Sequence, residues 1–245
     1  MARIIAIKSI YHNMEDRTKK YLQSVVKNNY QEIAAYFDVT RKKHTWPELE
    51  KILSFLKDGD SVLDVGCGNG RLLDNIRNKK IDYLGIDNSS NLIEIARKNY
   101  PENDFILGDI LYLDKATNKE FDLVISVAVL HHLPSLDLRL SALKQLALMT
   151  RSGGRIIFSA WKIWSNKKYL KPLLKNIFLK LTFQSDLDFG DLLFPWKDNQ
   201  GNPLSERYYH AFTSYSLRSL LKKAGFKKFN LYSDNNNYWV TIDTP

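Results

Sequence analysis

The segment Val62-Leu63-Asp64-Val65-Gly66-Cys67-Gly68-Asn69-Gly70 constrains this chain more than any other stretch. A short apolar strand runs into three glycines spaced two apart, and a helical stretch follows. Glycine in such a turn takes backbone angles that a Cβ forbids, and its bare main chain lets a ligand approach closely. A strand, a glycine turn and a helix in that order belong to an open α/β sheet. Ligands bind there at the carboxyl ends of the strands, beside the point where the strand order reverses.

The rest of the chain repeats the alternation. Apolar runs at 61–65, 82–86, 104–107, 121–127 and 154–160 read as strands, and 70–78, 89–99 and 136–149 as helices between them. A helix at 214–224, with Gly225 at its C-cap position, leads into two more strand candidates at 226–232 and 237–242. The expected fold class is α/β: a doubly wound, mostly parallel seven-stranded sheet, Rossmann-like, with helices on both faces. Ahead of it, residues 1–28 are polar and basic, with Arg17, Lys19, Lys20 and Lys27, and 29–43 place Ile33, Ala34 and Phe37 at helical spacing. Pro47 suits the first turn of a helix reaching Leu56. The expected organisation is an N-terminal helical arm over 1–44 and one domain over 45–245. An insertion at about 161–210 interrupts that domain over the mouth of the sheet. It comprises a helical stretch from Lys162 to Lys180, with six lysines and no acid, and an acidic, Pro- and Gly-punctuated loop at 186–203.

Composition narrows the function classes. A chain of 245 residues with 44% hydrophobic and 26% charged residues buries a core and is not disordered. The formal net charge of +9 sets up a field that draws polyanions, nucleic acid first. One cysteine, Cys67, builds no disulfide framework. No run approaches the roughly 18 apolar residues of a membrane span, and the start carries no cleavage signature, so a cytoplasmic protein without a membrane partner is expected.

The spacing of the glycine turn selects its ligand. The dinucleotide fingerprint places a third glycine where this chain has Arg71, and the third glycine here comes one residue early, at Gly70. Asp64 stands two residues before the first glycine, where a carboxylate suits an ammonium group and not a pyrophosphate. S-adenosylmethionine carries such an ammonium. Asp87, about 20 residues on, ends the second strand, where an acid binds ribose hydroxyls. Gly108-Asp109-Ile110 ends the third, placing a carboxylate and an apolar face for adenine. Taken singly, each aspartate is as well explained as a cap or turn residue; in register at successive strand ends they mark a nucleotide-like site.

Over residues 45–165 the pattern resembles the class I S-adenosylmethionine-dependent methyltransferases. The resemblance implies that Asp64, Gly66, Cys67, Gly68 and Gly70 surround the methionine moiety, and that Asp87 with Asn88 holds the ribose. Asp109 and Ile110 would then flank the adenine, with Ala128 and His131 near the sulfonium. The final strand would run antiparallel. A narrower resemblance, to the tRNA wobble-uridine carboxyl methyltransferases, rests on Tyr30-Gln31-Glu32-Ile33-Ala34 and Thr40-Arg41-Lys42-Lys43-His44-Thr45-Trp46-Pro47. It continues in Val129-Leu130-His131-His132, Phe194-Pro195-Trp196-Lys197, Arg207-Tyr208-Tyr209-His210-Ala211-Phe212 and Asp234-Asn235-Asn236-Asn237-Tyr238-Trp239. It leaves the arm at 1–28 and the stretch 161–183 unmatched.

That family esterifies the carboxymethyl group of a wobble uridine, which implies tRNA as partner and, in some lineages, a small zinc-binding activator subunit. By the same resemblance Arg41 joins the cofactor set, and His131, Trp196, Arg207, Tyr208, His210 and Trp239 are candidates for the acceptor. Arginine suits bidentate carboxylate contacts, lysines of the insertion and Arg41, Lys42 and Lys43 suit phosphates, and Trp196 and Tyr209 suit stacking on splayed bases. A carboxylate with a reference pKa of about 4 is already ionised at neutral pH, so no catalytic acid–base pair is expected and positioning carries the reaction. Neighbouring His131 and His132 diverge and bring no cysteine or carboxylate cluster, so no metal site is expected. Cys67 has no adjacent base to make it a nucleophile, and Trp161 with Trp164 reads as packing. The alternatives are a methyltransferase for a small metabolite or, less favoured, a non-catalytic RNA-binding scaffold of the same fold.

Overall fold

The computed structural model describes residues 14–41, 47–197 and 203–245. Helix α1, Asp16–Arg41, leads the described chain, and α2, Pro47–Leu53, follows. The sheet then begins with β1, Ser61–Val65, and β2, Asp82–Asp87, joined through a 3-10 turn at Arg71–Asn75. After α3, Ser90–Asn99, and β3, Asp104–Leu107, a short α4, Leu113–Ala116, leads to β4, Phe121–Val127. Helix α5, Leu136–Leu148, returns the chain to β5, Thr150–Trp161, and α6, Lys167–Leu181, opens the inserted region. Strands β6, Asp191–Lys197, and β7, Pro203–His210, complete that region. The chain closes with α7, Ser214–Lys223, β8, Asn230–Ser233, and β9, Asn237–Asp243.

Seven strands form one sheet in the order β3-β2-β1-β4-β5-β9-β8. Strands β1 to β5 pair in parallel, and β9 runs antiparallel to both β5 and β8. The order reverses between β1 and β4, at the ends of Val65 and Val127. The central strands are apolar on both faces because helices cover both. Alternation along β1 sends Leu63 and Val65 into a cluster with Leu143, Leu146 and Leu217, and Val62 into one with Leu49, Leu53 and Ile93. No helix among the described residues is long and apolar enough to cross a membrane.

Three expectations change. The stretch 70–78 is a 3-10 turn of five residues, because its apolar residues end at Ile76 and four polar residues follow. The penultimate strand begins at Asn230 and not at 226, since Lys227 and Lys228 are exposed and have no face to bury. The segment expected as a loop at 186–203 contributes a strand: β6 pairs antiparallel with β7, with Leu192 opposite Tyr209 and Phe194 opposite Arg207. Pro195 sits in this two-stranded ribbon, where an edge tolerates a missing donor.

Candidate active site

The carboxyl ends of β1, β2, β3 and β4 open into a cavity of about 970 Å³, with α1 on one side and the start of α6, β7 and the β8–β9 turn on the other. Its floor is the glycine turn. Gly66, Gly68 and Gly70 all have positive φ, at 76°, 57° and 80°. A Cβ on Gly66 would lie 2.2 Å from Val129 Cγ2, and one on Gly68 would lie 3.4 Å from the Phe37 ring on α1. The turn therefore admits only glycine at Gly66, on grounds of both angle and space.

Three aspartates face this floor. Asp64 is 3% exposed and accepts a 2.9 Å hydrogen bond from the Tyr83 hydroxyl. Burial pushes its carboxyl up to about 7, partly opposed by the Tyr83 bond. A desolvated carboxylate held by a neutral donor is a place where a cation is welcome. Asp87 accepts from the Gly68 amide at 2.9 Å and from the Ser89 amide at 2.9 Å, so the acid at the end of β2 fixes the glycine turn directly. Burial raises its pKa, and these amides oppose the rise. Asp109 caps the turn after β3 by accepting from the Leu111 amide at 2.9 Å, with Asn88 and Ile110 beside it in the wall. Buried Cys67 lines the same floor as a thiol whose pKa burial pushes up. At the end of β4, Ala128 lines the cavity with φ +60°, a strained angle for a residue with a Cβ, and donates its N–H to Ser159 Oγ at 3.0 Å.

The opposite wall is aromatic and cationic. Tyr30, His132, Trp161, Tyr169, Arg207 and Tyr209 line it. Tyr209 lies 5.1 Å from Trp161 and 4.9 Å from His132 between ring centroids, and 5.6 Å from Phe194 in a stacked arrangement. His132 Nδ1 faces the Tyr208 carbonyl at 3.3 Å, and a carbonyl only accepts, so that nitrogen carries the proton. Nε2 then accepts from the Tyr30 hydroxyl at 2.8 Å. Burial lowers the His132 pKa to about 4, and the ring is neutral. Burial likewise raises the Tyr209 pKa, so its phenol stays protonated.

Helix α1 is fastened at both ends of this cavity. Asp38 accepts from Asn69 at 2.9 Å and Asn99 at 3.0 Å on the sheet side. At the hairpin, Tyr21 donates to Glu206 at 2.6 Å and Asn29 bonds Ser205. Apolar Ile33 and Phe37 face the cavity between these anchors.

Of the site residues expected from sequence, Asp64, Gly66, Cys67, Gly68, Asp87, Asn88, Asp109, Ile110, Ala128 and Arg207 line one cavity. Gly70, His131, Tyr208, His210 and Trp239 lie outside its lining. A Cβ on Gly70 would sit 2.8 Å from the Tyr100 ring, so that glycine serves packing of the turn. His131 is fully buried, with its ring 5.1 Å from Trp161 and 5.5 Å from Tyr209, and its neighbour His132 faces the cavity instead. Tyr208 and His210 point to the far side of β7, because side chains alternate along a strand. There both meet buried Asp191: the Tyr208 hydroxyl donates at 2.8 Å and His210 Nδ1 lies 2.7 Å away. Burial holds His210 at about 4. Trp239 is 1% exposed in the core and donates its indole N–H to Asp234 at 2.8 Å. The side chains of Arg41 and Trp196 lie outside the described residues. Sequence reasoning assigned no role to Tyr30, Tyr169 or Asp191, and read His132 only as half of a histidine pair. Strand alternation across Arg207-Tyr208-Tyr209-His210 was the one available signal for which two face the ligand.

Comparison with known proteins agrees with this architecture. A family described as a methyltransferase domain matches residues 36–230. A tRNA (carboxymethyluridine(34)-5-O)-methyltransferase of Schizosaccharomyces pombe is 27% identical over 91% of this chain and 98% of its own length. One of the same name from Saccharomyces cerevisiae is 33% identical over 64% of this chain. The match spans 56% of that protein's length, and 40% of a Xenopus tropicalis relative. A crystal structure of a SAM-dependent methyltransferase from Methanosarcina mazei superposes with a TM-score of 0.64 at 19% identity, covering 82% of this chain and 98% of that one. With the switch-point cavity and the matched family covering most of its length, the chain belongs to the methyltransferase-domain family and carries the fold of the S-adenosylmethionine-dependent enzymes.

Proposed function

We propose that this chain methylates the carboxyl group of a carboxymethylated wobble uridine in tRNA, with S-adenosylmethionine as donor. The observation that carries the reading is the division of one cavity into two chemistries. Buried Asp64 and half-buried Asp87 and Asp109 stand at the strand ends, and Arg207 stands among Tyr30, Tyr169 and Tyr209 on the aromatic wall. The relatives named for this same reaction support it.

The floor fits the donor. Asp64 is a desolvated carboxylate ready for the donor's ammonium, Asp87 presents an acid already oriented by two amides, and Asp109 with Ile110 offers an acceptor beside an apolar face. When bound, S-adenosylmethionine supplies an electrophilic methyl group on a cationic sulfur.

The chain's own work is placement. Arg207 offers a planar, permanently charged fork suited to a carboxylate, and the surrounding rings offer faces for a flat base. An ionised carboxylate has no proton to lose, so its methylation needs no base; on the aromatic wall His132 is neutral and bonded to Tyr30 and the Tyr208 carbonyl, and the Tyr209 phenol stays protonated. Restricting the acceptor to in-line approach supplies the rate.

The test is methyl transfer from labelled S-adenosylmethionine to tRNA that carries unesterified carboxymethyluridine, followed by nucleoside analysis. The expected product is the methyl ester at the wobble position. Absence of label in that nucleoside, with S-adenosylmethionine binding intact, overturns the tRNA assignment.

A further inference from the structure

The carboxylates and the exposed lysines of the cavity lining stand apart, with half-buried Arg71 near Asp64 on the carboxylate side. The three aspartates, Asp64, Asp87 and Asp109, are buried or half-buried at the strand ends. The exposed lining residues include no carboxylate among the described residues, but they include Lys20 and Lys27 on α1 and Lys167 on α6. Lys20, Gln23, Ser24 and Lys27 are spaced i, i+3, i+4, i+7, so they share one face of α1, and all four line the cavity. Farther along the helix the cavity-lining residues turn aromatic and apolar, with Tyr30, Ile33 and Phe37. Across the mouth stand Lys162 and Lys167; Lys162 donates to the Asp234 carbonyl at 2.9 Å, which fixes its charge in place. Lysines on α1 and at the start of α6 thus line the same cavity as the aromatic residues Tyr30, Tyr169 and Tyr209. Exposed Lys168, Lys171 and Lys175 continue the positive charge along α6, a helix with no acidic residue.

We infer that this cleft between the first half of α1 and the start of α6 is a phosphodiester track, which grips the single-stranded RNA backbone on either side of the nucleotide inserted in the cavity. The inference rests on the tRNA reading above and adds to it the residues that hold the backbone. Lysines paired across a groove neutralise phosphates without reading bases, which suits a loop held by its backbone while one base is splayed out. Neutral Gln23 and Ser24 between the lysines add hydrogen bonds to phosphate or sugar oxygens.

The test uses the triple variant Lys20→Glu, Lys27→Glu, Lys167→Glu and a fluorescent anticodon stem–loop, with affinity followed from 50 to 200 mM salt. Each lost phosphate contact on a single strand removes about 0.7 from the slope of log affinity against log salt. The variant should therefore lose about 2 from the slope and at least ~10-fold in affinity. Calorimetric affinity for S-adenosylmethionine should not change, because Asp64, Asp87 and Asp109 at the strand ends are untouched by the substitutions; that control also reports an intact fold. Wild-type slope and affinity in the variant overturn the inference while leaving the methylation reading intact. A wild-type chain that binds no stem–loop and transfers no methyl to tRNA overturns the parent reading instead. A third arm uses vesicles of phosphatidylserine and phosphatidylcholine: tight wild-type binding to them, lost in the variant with RNA affinity unchanged, makes the cleft a lipid-headgroup surface and also overturns the inference.

Discussion

Asp64 pairs an unfavourable environment with a use for it. Its carboxyl, raised by burial to about 7, holds a proton more tightly in the folded chain than in the unfolded one, where the reference is about 3.9. Ionising it therefore costs stability as pH rises from about 4 through about 7, and the folded protein without donor is less stable at pH 8 than this residue alone would leave it at pH 5. A bound ammonium reverses the preference, so donor binding below pH 7 must expel a proton. Affinity for S-adenosylmethionine should fall towards ~10-fold per pH unit below 7 and level off above it, as read by calorimetry in buffers of different ionisation heat. Asp64→Asn should flatten that dependence and weaken binding by at least ~10-fold. Without donor it should melt higher than wild type at pH 8, with a smaller difference at pH 5 and the least below pH 4. A wild-type affinity that does not vary from pH 5.5 to 8 would remove Asp64 from the ammonium site.

At the scale of elements, β7 carries the aromatic and cationic wall that we propose receives the acceptor. One face of the strand presents Arg207 and Tyr209 to the cavity; the other presents Tyr208 and His210 to Asp191, which sits beside Asp188, Arg139 and Asn176 in a buried polar cluster. Asp191 lies outside the cavity lining, and its bonds to Tyr208 and His210 fit a positioning role that fixes the strand's roll. Asp191→Asn keeps the shape but loses the charge that pairs with Arg139, 4.0 Å away. It should raise KM for the tRNA by ~3- to 10-fold while kcat and donor affinity change less than twofold, and Tyr208→Phe should give a milder version. Equal loss of donor and tRNA affinity would mark a general folding defect. This wall was the least legible part of the sequence. The floor could be read from Asp64 to Gly70 and from Asp87, because one turn with fixed spacing encodes both the backbone and the ligand. The aromatic wall is assembled from α1, the 3-10 turn Leu130–His132 after β4, β5, α6 and β7, and no local pattern announces that Tyr30 will meet His132 across 102 positions. The β6 strand was hidden for a related reason. Its Pro195 and the glycines nearby speak for a loop, and only pairing with β7 makes it a strand.

For the whole molecule, the net charge of +9 is not spread evenly over the site: the exposed lysines of the lining gather at the mouth, and the three aspartates stand at the floor with half-buried Arg71 near Asp64. That separation lets a cationic donor and a polyanionic acceptor enter one cavity without competing for the same groups. The presence of Arg207 in the cavity lining has one more result. On the proposed reading, esterification turns the acceptor's anion into a neutral group, so the Arg207 guanidinium loses its charge-assisted contact with the substrate. A charge-assisted contact contributes about 1.5–3 kcal/mol, so the finished ester should bind more weakly than the free acid by at least ~10-fold. Product inhibition by esterified stem–loop should accordingly be slight beside that by an unreacted acid analogue, and an arginine placed to admit the substrate also sets how readily the enzyme lets go.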